Sequence, residues 1–250
     1  MSYESYKNKY KHISFLREDG ILQMTLHTRG GPIVWTIETK VELTNALGDI
    51  SRDLGNKAVI ITGTGDSFIE LDDLPYKSEN VSPRKWDRVI TDGRQIIMNH
   101  LDIEAPVIAA LNGPAHIHAE IALLSDIVLA TDNASIQDKL HFDIGMVPGD
   151  GVHVIFPLLL GLNRGRYFLW TAEKLSAQQA LELGLISEIH SREQLLPRAW
   201  ELARHILKRP PLTVRYTRIL LTETLRKAMT DHLRLGIAYE GLAAGDLDQR

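Results

Sequence analysis

The feature that most constrains the fold is an alternation of short apolar stretches with amphipathic segments along the first two thirds of the chain. The stretches KAVIITGTG, APVIAALNG and DIVLAT are each about as long as one buried strand. Around them, over 36–54 and 84–103, apolar residues recur at threes and fours, which is the spacing of a helix. Strands that alternate with helices favour an α/β fold in which helices cover a mostly parallel sheet.

Other segments complete this prediction. Asp19-Gly20 separates two apolar or alternating segments and predicts an antiparallel hairpin. A loop rich in acids and prolines is expected from Asp66 to about Pro83, and a short apolar helix is expected to end near Ser125. The last third is predicted to be nearly all helical, with helices over 152–161, 163–171, SAQQALELG, REQLLPRAWELARHILKR and 211–243.

Length and composition bound the function. The 250 residues suffice for one large domain, or for one domain with a smaller appendage. The net charge of −4 and the scattered basic residues give no sign of a nucleic-acid or membrane-surface partner. The chain has no cysteine, which excludes disulfides, thiolate metal sites and a thiol nucleophile. With no signal-peptide pattern at the polar start and no apolar run near the roughly 18 residues of a membrane span, we expect a cytoplasmic protein.

Polar residues cluster around a sharp turn in HFDIGMVPGDGVH, residues 141–153. His141 and Asp150 flank the Pro-Gly turn, which can bring them close together. A carboxylate that accepts from one imidazole nitrogen fixes the tautomer and raises the basicity of the other, so this pair can deprotonate water. A solvated loop is the alternative interpretation.

The stretch HIHAEIALLSD contains His116, His118 and Glu120 at alternate positions, which share one face if the segment is extended. Such a set can bind a metal ion, but a third ligand with clear spacing is missing, and we predict no metal site. A histidine of this set can also donate a hydrogen bond to a carbonyl oxygen, or be a loop histidine with a satisfied hydrogen bond.

The stretch GGPIVWT contains Trp35, which has one N–H donor on a large apolar ring. A position in the core is the simpler interpretation.

Glu240 falls on an apolar helical stripe. On the predicted last helix, Met229, Leu233 and Ile237 are spaced by four, and Glu240 follows three residues later on the same face. A carboxylate there must be paired, kept neutral by a raised pKa, or exposed because the helix end frays.

Taken in order, five stretches resemble the crotonase (enoyl-CoA hydratase/isomerase) superfamily over nearly the whole chain: KAVIITGTGDSF, APVIAALNGPA, SDIVLAT, IGMVPGDG and GLNRGRYFLWTAEKLSAQQALELGLISEI. The resemblance implies an α/β fold, a crotonase-like spiral of ββα units over residues 1–195. It also implies a C-terminal helical trimerisation region over 196–250, and a homotrimer or a dimer of trimers.

The departures from the superfamily pattern bear on activity. Where members carry small residues whose backbone forms an oxyanion hole, this chain has IELDD and PAHIHAE. His141 stands where hydratases have one catalytic glutamate, whereas Glu120 aligns with the other. One glutamate cannot reproduce a two-carboxylate addition of water.

At the divergent positions the chain is similar to the 6-oxocamphor hydrolase type of β-diketone hydrolase. The matching residues are Val34-Trp35-Thr36, His118-Ala119-Glu120, His141-Phe142, Val147 to Gly151 and Glu240 to Ala244. That branch cleaves the C–C bond between two carbonyls by hydrolysis, a retro-Claisen reaction, without CoA or metal. The resemblance therefore implies a carbon–carbon bond hydrolase acting on a cyclic or bicyclic 1,3-diketone, with no cofactor.

Hydrolysis of a 1,3-diketone needs an activated water, a held oxyanion and a protonated enolate. We assign water activation to His141 oriented by Asp150, and the carbonyl oxygen to His118 and the Trp35 N–H. Glu240 suits water positioning or proton delivery. Asp150 is a second candidate proton donor for the enolate, and the role of Glu120 is left open.

Two other functions remain open from the sequence. One is an acyl-CoA hydratase, isomerase or hydrolase, and the other is a catalytically silent scaffold or RNA-binding relative.

Asp143 and His153 are expected to be solvent-facing or structural. The pocket is expected to take its shape from residues such as Ile69, Leu71, Phe142 and Phe156.

Overall fold

The computed structural model describes residues 1–74 and 82–247, so the middle of the predicted 66–83 loop lies outside the described residues. The strands are β1 (Ile13–Glu18), β2 (Ile21–Leu26), β3 (Val34–Trp35), β4 (Ala58–Thr62), β5 (Leu71–Asp72), β6 (Val107–Leu111), β7 (Ile127–Thr131), β8 (Ser135–Ile136), β9 (Leu175–Ser176) and β10 (Glu188–His190). The helices are α1 (Ile37–Arg52), α2 (Pro83–Leu101), α3 (Glu120–Leu123), α4 (Val152–Leu160), α5 (Leu162–Thr171), α6 (Ala177–Glu182), α7 (Arg192–Ile206) and α8 (Pro211–Leu247).

Within the described residues, the central sheet has six strands in the order β1-β2-β4-β6-β7-β10. The predicted hairpin is present: β1 and β2 are antiparallel, and Asp19 and Gly20 both take the positive φ that a tight hairpin turn requires. The later pairs are parallel. Because strand order follows chain order, the chain advances across the sheet one crossover at a time.

Short strands form a second layer beside this sheet. β3 pairs with β5, β8 pairs with β9, and single bridges join Ala115 to Ile69 and to Ile136. The first two turns of the chain therefore each contain a long strand, a short second-layer strand and a helix. The predicted α/β spiral of ββα units is confirmed, and the candidate site lies where the second layer meets the helices.

The last helix packs into the main core. Met229, Leu233 and Ile237 are buried in the same apolar cluster as the inner face of the sheet, whereas α7 covers the other face. α8 extends to Leu247, so Glu240 lies well inside a helix and not at a frayed end. Across the described ranges, no helix combines the length and the apolar character that crossing a membrane requires.

Several short strands, among them β3, β5, β9 and β10, were not predicted. β5 lies inside the expected 66–83 loop, and β10 forms a three-residue edge of the central sheet. Segments of two or three residues are too short to show an alternating pattern, so only their partners in the fold identify them.

Candidate active site

The turn that follows His141 is built by glycines. His141 precedes a single 3-10 turn, Phe142–Ile144, which ends at Gly145 with a φ of 86°. Gly151, with a φ of 124°, then starts α4. Because only glycine enters these conformations without strain, the loop folds back and brings Asp150 to the same pocket as His141.

The carboxylate that orients His141 is Asp138. His141 Nδ1 lies 2.5 Å from Asp138 Oδ1, and both side chains are almost fully buried. The expected orienting residue, Asp150, lies instead on the other side of the ring, with its Oδ2 atom 3.5 Å from His141 Nε2. The pair predicted from the sequence is therefore close in space, but Asp138 holds the position that was assigned to Asp150.

His118 shares Asp150 with His141. His118 Nδ1 lies 2.7 Å from Glu120 Oε1 and 3.1 Å from Asp150 Oδ2. The residue adopts a φ of 50°, a left-handed conformation that is unusual for a side-chain-bearing residue. This conformation turns the imidazole between the two carboxylates and leaves its Nε2 atom without a hydrogen-bond partner among the described residues.

Trp35 packs against His118. It is 1% exposed, and the centroids of the two rings are 4.3 Å apart at a tilt of 45°. Thr36 caps the N-terminus of α1 in a capping box with Thr39, which fixes the chain directly after the indole. Within the described part of the chain, the indole N–H has no protein acceptor, and the residue lines the pocket.

A close contact between two glycines places Glu240. A Cβ atom on Gly149 would lie 2.2 Å from the Gly236 carbonyl oxygen and 3.1 Å from Glu240 Cβ. The loop before Asp150 therefore rests directly on α8. The Trp86 indole N–H donates to the Ile237 carbonyl at 2.8 Å and supports the same turn. As a result, Glu240 Oε1 lies 4.0 Å from His141 Nε2.

His141 and Asp150 each stabilise the charged form of the other. Burial disfavours the imidazolium of His141, but Asp150 and then Asp138 outweigh it and hold the pKa of His141 well above its ordinary value. Burial also opposes the Asp150 carboxylate, yet His141 and His118 hold its pKa well below the ordinary value. At neutral pH the resting site therefore contains a His141 imidazolium beside an Asp150 carboxylate.

The pKa values of His118, Glu120 and Glu240 all lie above their ordinary values. Burial opposes the positive charge on His118, but Glu120 and Asp150 prevail and raise its pKa to about 9. Burial, followed by the charge of Asp150, raises the pKa of Glu120. The same two causes raise the pKa of Glu240 to about 7. With a pKa of about 7, Glu240 changes its charge near neutral pH.

The side chains of His118, His141, Asp150 and Glu240 face a cavity of about 390 Å³, large enough for a small cyclic molecule. Its walls are mostly apolar. The predicted shaping residues were wrong: Ile69 and Phe156 are in the core, whereas Leu71 and Phe142 are largely exposed. The residues that do line the cavity include Ile37, Val41, Leu74, Trp86, Val89, Leu140, Met146 and Ile237, together with the polar residues Lys40, Arg88, Asp92, His118, His141, Asp150 and Glu240.

His116 and His118 do not lie on one face, as they would in an extended segment. His116 turns to Ser135, with 2.7 Å between Nε2 and Oγ, because the chain is not extended at His118. The ligand atoms of His118, Glu120 and Asp150 do lie within 4.8 Å of one another. However, 2.7 Å between His118 Nδ1 and Glu120 Oε1 is a hydrogen-bond distance, whereas two ligands of one tetrahedral zinc ion are roughly 3.4 Å apart. The group fits a shared proton better than a metal ion.

Backbone donors near the pocket are already occupied. The N–H groups of His116 and Ile117 both donate to the Ile69 carbonyl oxygen, at 2.9 and 3.2 Å. The Asp73 N–H donates to the Trp35 carbonyl oxygen at 2.9 Å. These groups belong to the two stretches that depart from the hydratase pattern, and none of the three is available to a ligand.

The sequence analysis did not identify Asp138, nor Lys40 and Arg88 in the cavity lining. Asp138 stands three residues before His141, a spacing that could have been noticed but that is common by chance. The two polar residues given structural roles behave as expected. Asp143 is exposed, and His153 packs on Gly236, where a Cβ atom would lie 2.3 Å from the imidazole Cε1.

Comparisons with known proteins place nearly the whole chain in one family. The family model for enoyl-CoA hydratase/isomerase matches residues 17–241. The chain is 26% identical to a crotonyl-CoA hydratase from Syntrophomonas wolfei, over 96% of this chain and 93% of that protein. It is 28% identical to a short-chain-enoyl-CoA hydratase from Clostridium acetobutylicum, over 84% and 78%.

Among solved structures, one similar protein is a β-diketone hydrolase from the cyanobacterium Anabaena sp. PCC 7120, bound to (S)-3-oxocyclohexyl acetic acid. It is 46% identical, with a TM-score of 0.94, over 97% of this chain and 98% of that chain. An enoyl-CoA hydratase/isomerase from Mycobacterium paratuberculosis is 26% identical, with a TM-score of 0.86, over 95% of each chain.

Proposed function

Because the chain belongs to the enoyl-CoA hydratase/isomerase family of the crotonase superfamily, we propose that it uses this fold as a β-diketone hydrolase. The reaction is the addition of water to one carbonyl of a cyclic or bicyclic 1,3-diketone, with cleavage of the C–C bond between the carbonyls, to give a keto acid. The similarity to the Anabaena β-diketone hydrolase supports this assignment over a CoA-dependent one.

The observation that carries the proposal is the shared Asp150. Its carboxylate lies 3.1 Å from His118 Nδ1 and 3.5 Å from His141 Nε2, so one pocket holds two imidazoles with raised pKa values. A charged imidazole beside an indole N–H is a strong donor pair for a carbonyl oxygen that becomes an oxyanion. This pair takes the place of the backbone donors, several of which are already hydrogen-bonded.

We assign activation of the attacking water to Glu240, as its general base. A general base works best when its pKa lies near the working pH, and the pKa of Glu240 is about 7. The sequence-based assignment gave this role to His141, but an imidazole whose pKa is well above neutrality already carries its proton. Glu240 accepts one proton from water, and the hydroxide oxygen bonds to the carbonyl carbon while His118 and Trp35 hold the oxyanion.

The second step breaks the C–C bond. Its electron pair forms the enolate of the second carbonyl, and the oxyanion collapses to a carboxylic acid. The His141–Asp150 pair, which holds a proton in the resting site, gives that proton to the enolate carbon. Glu240 then passes the proton it took from water to His141, which restores the resting His141–Asp150 pair, and the carboxylic acid product releases its proton to solvent. Environments that push the pKa values of neighbouring groups apart in this way define acid and base roles.

The test is a panel of cyclic and bicyclic 1,3-diketones, with loss of the diketone absorbance followed without any added cofactor. We expect hydrolysis to a keto acid. His141→Ala and Asp150→Asn should each lower turnover by at least about tenfold with the fold intact, and His118→Ala should raise KM. If the panel is untouched while an enoyl-CoA is hydrated, the proposal is wrong.

The curated relatives support one alternative, an acyl-CoA hydratase, isomerase or hydrolase. Against it, Glu120 is 1% exposed, its Oε1 atom lies 2.7 Å from His118 Nδ1, and it is not among the described residues that line the cavity. Protection of the chain by CoA against thermal unfolding would favour this alternative. A catalytically silent relative would instead show no change on His141→Ala in any assay.

A further inference from the structure

Among the described residues that line the pocket there are one lysine and one arginine, and only the arginine has a charged partner. Arg88 is paired with Asp92, with 2.9 Å between Nε and Oδ2. Lys40, on α1, is partly buried, and its ammonium forms no hydrogen bond or ion pair with any residue in the described ranges. Desolvating an ammonium is costly unless an anion compensates it, so an unpaired lysine in an apolar pocket points to a ligand.

The packing of α2 and α8 sets the surroundings of the Lys40 ammonium. A Cβ atom on Gly93, across the pocket on α2, would lie 3.7 Å from Lys40 Nζ and 3.1 Å from Ile237 Cδ1. The ammonium therefore lies over a glycine in the gap between α2 and α8. The missing side chain at position 93 leaves space around Nζ on the cavity side.

Glu240 is not a permanent counter-ion for Lys40. The charge of Lys40 does lower the pKa of Glu240, but burial and Asp150 have larger opposite effects, and the two side chains do not form an ion pair. Ile37 and Val41 line the cavity on the same helix as Lys40 and are themselves partly exposed, so the ammonium lies towards the mouth of the cavity.

We propose that Lys40 forms a carboxylate-binding subsite inside the pocket. This proposal rests on the diketone hydrolase function, which supplies the anion: a neutral diketone becomes a keto acid with a carboxylate that was absent from the substrate. A carboxylate substituent already present on the diketone is the second source of the same chemistry. In both cases the ammonium meets one carboxylate of a molecule small enough for the cavity.

The test measures binding and not turnover. The probes are (S)-3-oxocyclohexyl acetic acid, the keto acid bound by the similar Anabaena hydrolase, and its primary amide, a neutral molecule of nearly the same shape. Their Kd values are measured by calorimetry on the wild-type chain, Lys40→Met and Lys40→Arg. Lys208→Met, at an exposed position after α7, controls for the loss of one charge.

We expect the wild-type chain to bind the acid about tenfold more tightly than the amide, as for an ion pair in a partly desolvated site. Lys40→Met should remove this preference by weakening the acid alone, Lys40→Arg should keep most of it, and Lys208→Met should leave it unchanged. Equal binding of acid and amide by the wild-type chain overturns the proposal. So does an acid preference that survives Lys40→Met, or a wild-type chain that does not bind the acid.

Kinetics then identify the source of the carboxylate. If the substrate supplies it, a carboxylated diketone has a higher kcat/KM than its neutral parent, and Lys40→Met removes the advantage. If the product supplies it, the two diketones are equivalent, and Lys40→Met relieves inhibition by the keto acid. Should no diketone be hydrolysed, the proposed function fails, whereas the binding test still decides whether Lys40 selects a carboxylate.

Discussion

Asp138 decides which nitrogen of His141 faces the pocket. Because its Oδ1 atom lies 2.5 Å from Nδ1, the proton on that nitrogen is held and Nε2 is directed at Asp150. Asp138→Asn keeps the shape but lets the ring adopt the other tautomer, so we expect kcat to fall about 10- to 100-fold with KM little changed. Steady-state kinetics on a hydrolysed diketone measure this.

Asp143→Asn is the matched control for Asp138→Asn. It makes the same chemical change two residues after His141, at an exposed side chain. We expect wild-type kinetics from it. Equal activity of both variants would show that Asp138 does not orient His141.

Glu120 holds the positive charge on His118. The carboxylate is 1% exposed and bound to Nδ1, and with Asp150 it raises the pKa of His118 to about 9 despite burial. Glu120→Gln removes the charge and keeps an acceptor, so we predict a lower His118 pKa, visible in an NMR titration, and a KM raised by about tenfold. Glu70→Gln is the control because Glu70 lies beside His116, 3.4 Å from its Nδ1, and should leave His118 unchanged.

For individual residues, the sequence predicted well which side chains line the cavity. It predicted less well which of them form pairs. His118, His141, Asp150, Glu240 and Trp35 all line one cavity, as the resemblance implied. The partner of each imidazole depends on local backbone angles, such as the positive φ at His118, which no spacing rule reveals. Asp138 was missed for this reason, and the roles of the acids changed once their burial was known.

Among the elements, α8 and the loop before Asp150 form a unit. The contact between Gly149 and Gly236 leaves no space for a side chain, since a Cβ atom on Gly149 would lie 2.2 Å from a carbonyl oxygen. Gly149→Ala should push the loop off the helix, move Asp150 away from Glu240, lower Tm and abolish most activity. Overpacking of this kind costs about 1–3 kcal/mol of unfolding free energy.

Gly245→Ala, on α8, is the control for Gly149→Ala. A Cβ atom there would meet nothing within 4 Å, and alanine favours the helix over glycine by up to about 1 kcal/mol. We expect unchanged activity and an equal or higher Tm. A Gly149→Ala variant as stable and active as Gly245→Ala would show that the glycine contact does not place Asp150.

The elements that the sequence predicted are those long enough to show a period. The predicted helix over 36–54 corresponds to Ile37–Arg52, and that over 84–103 to Pro83–Leu101. The strands β3 and β5 have two residues each, yet they carry Trp35 and fix its position. Their pairing depends on the spiral as a whole, so local sequence does not specify it.

The whole molecule raises the question of assembly. The prediction of a trimer or hexamer through residues 196–250, with a boundary at 195, stays a prediction. α8 has one buried face and also exposes large apolar side chains, including Leu220, Leu221 and Leu242. Exposed apolar area of this kind favours association with another subunit. Sedimentation analysis should give three or six times the mass of one chain, and a monomer at micromolar concentration would contradict the prediction.

Glu240 links the active site to the stability of the whole fold. Its pKa rises from an ordinary 4.5 to about 7 because the folded chain buries the carboxyl beside Asp150. Below pH 4.5 the group is protonated in both the folded and the unfolded chain. Between about pH 4.5 and 7 the unfolded chain loses this proton while the buried group in the folded chain keeps it, so stability falls across this window and is level above it. The gap between the two pKa values corresponds to at most about 3 kcal/mol.

Glu240→Gln is neutral at every pH and removes this penalty. We therefore expect the variant to be about 1–3 kcal/mol more stable than the wild-type chain at pH 8, with the difference shrinking towards zero near pH 4.5, and to be inactive. Urea unfolding of both chains across this pH range, at one chain concentration, measures the difference. A gap that does not change with pH would mean that the carboxyl ionises as easily in the fold as in water. In that case Glu240 would lack the raised pKa on which its assignment as the base rests.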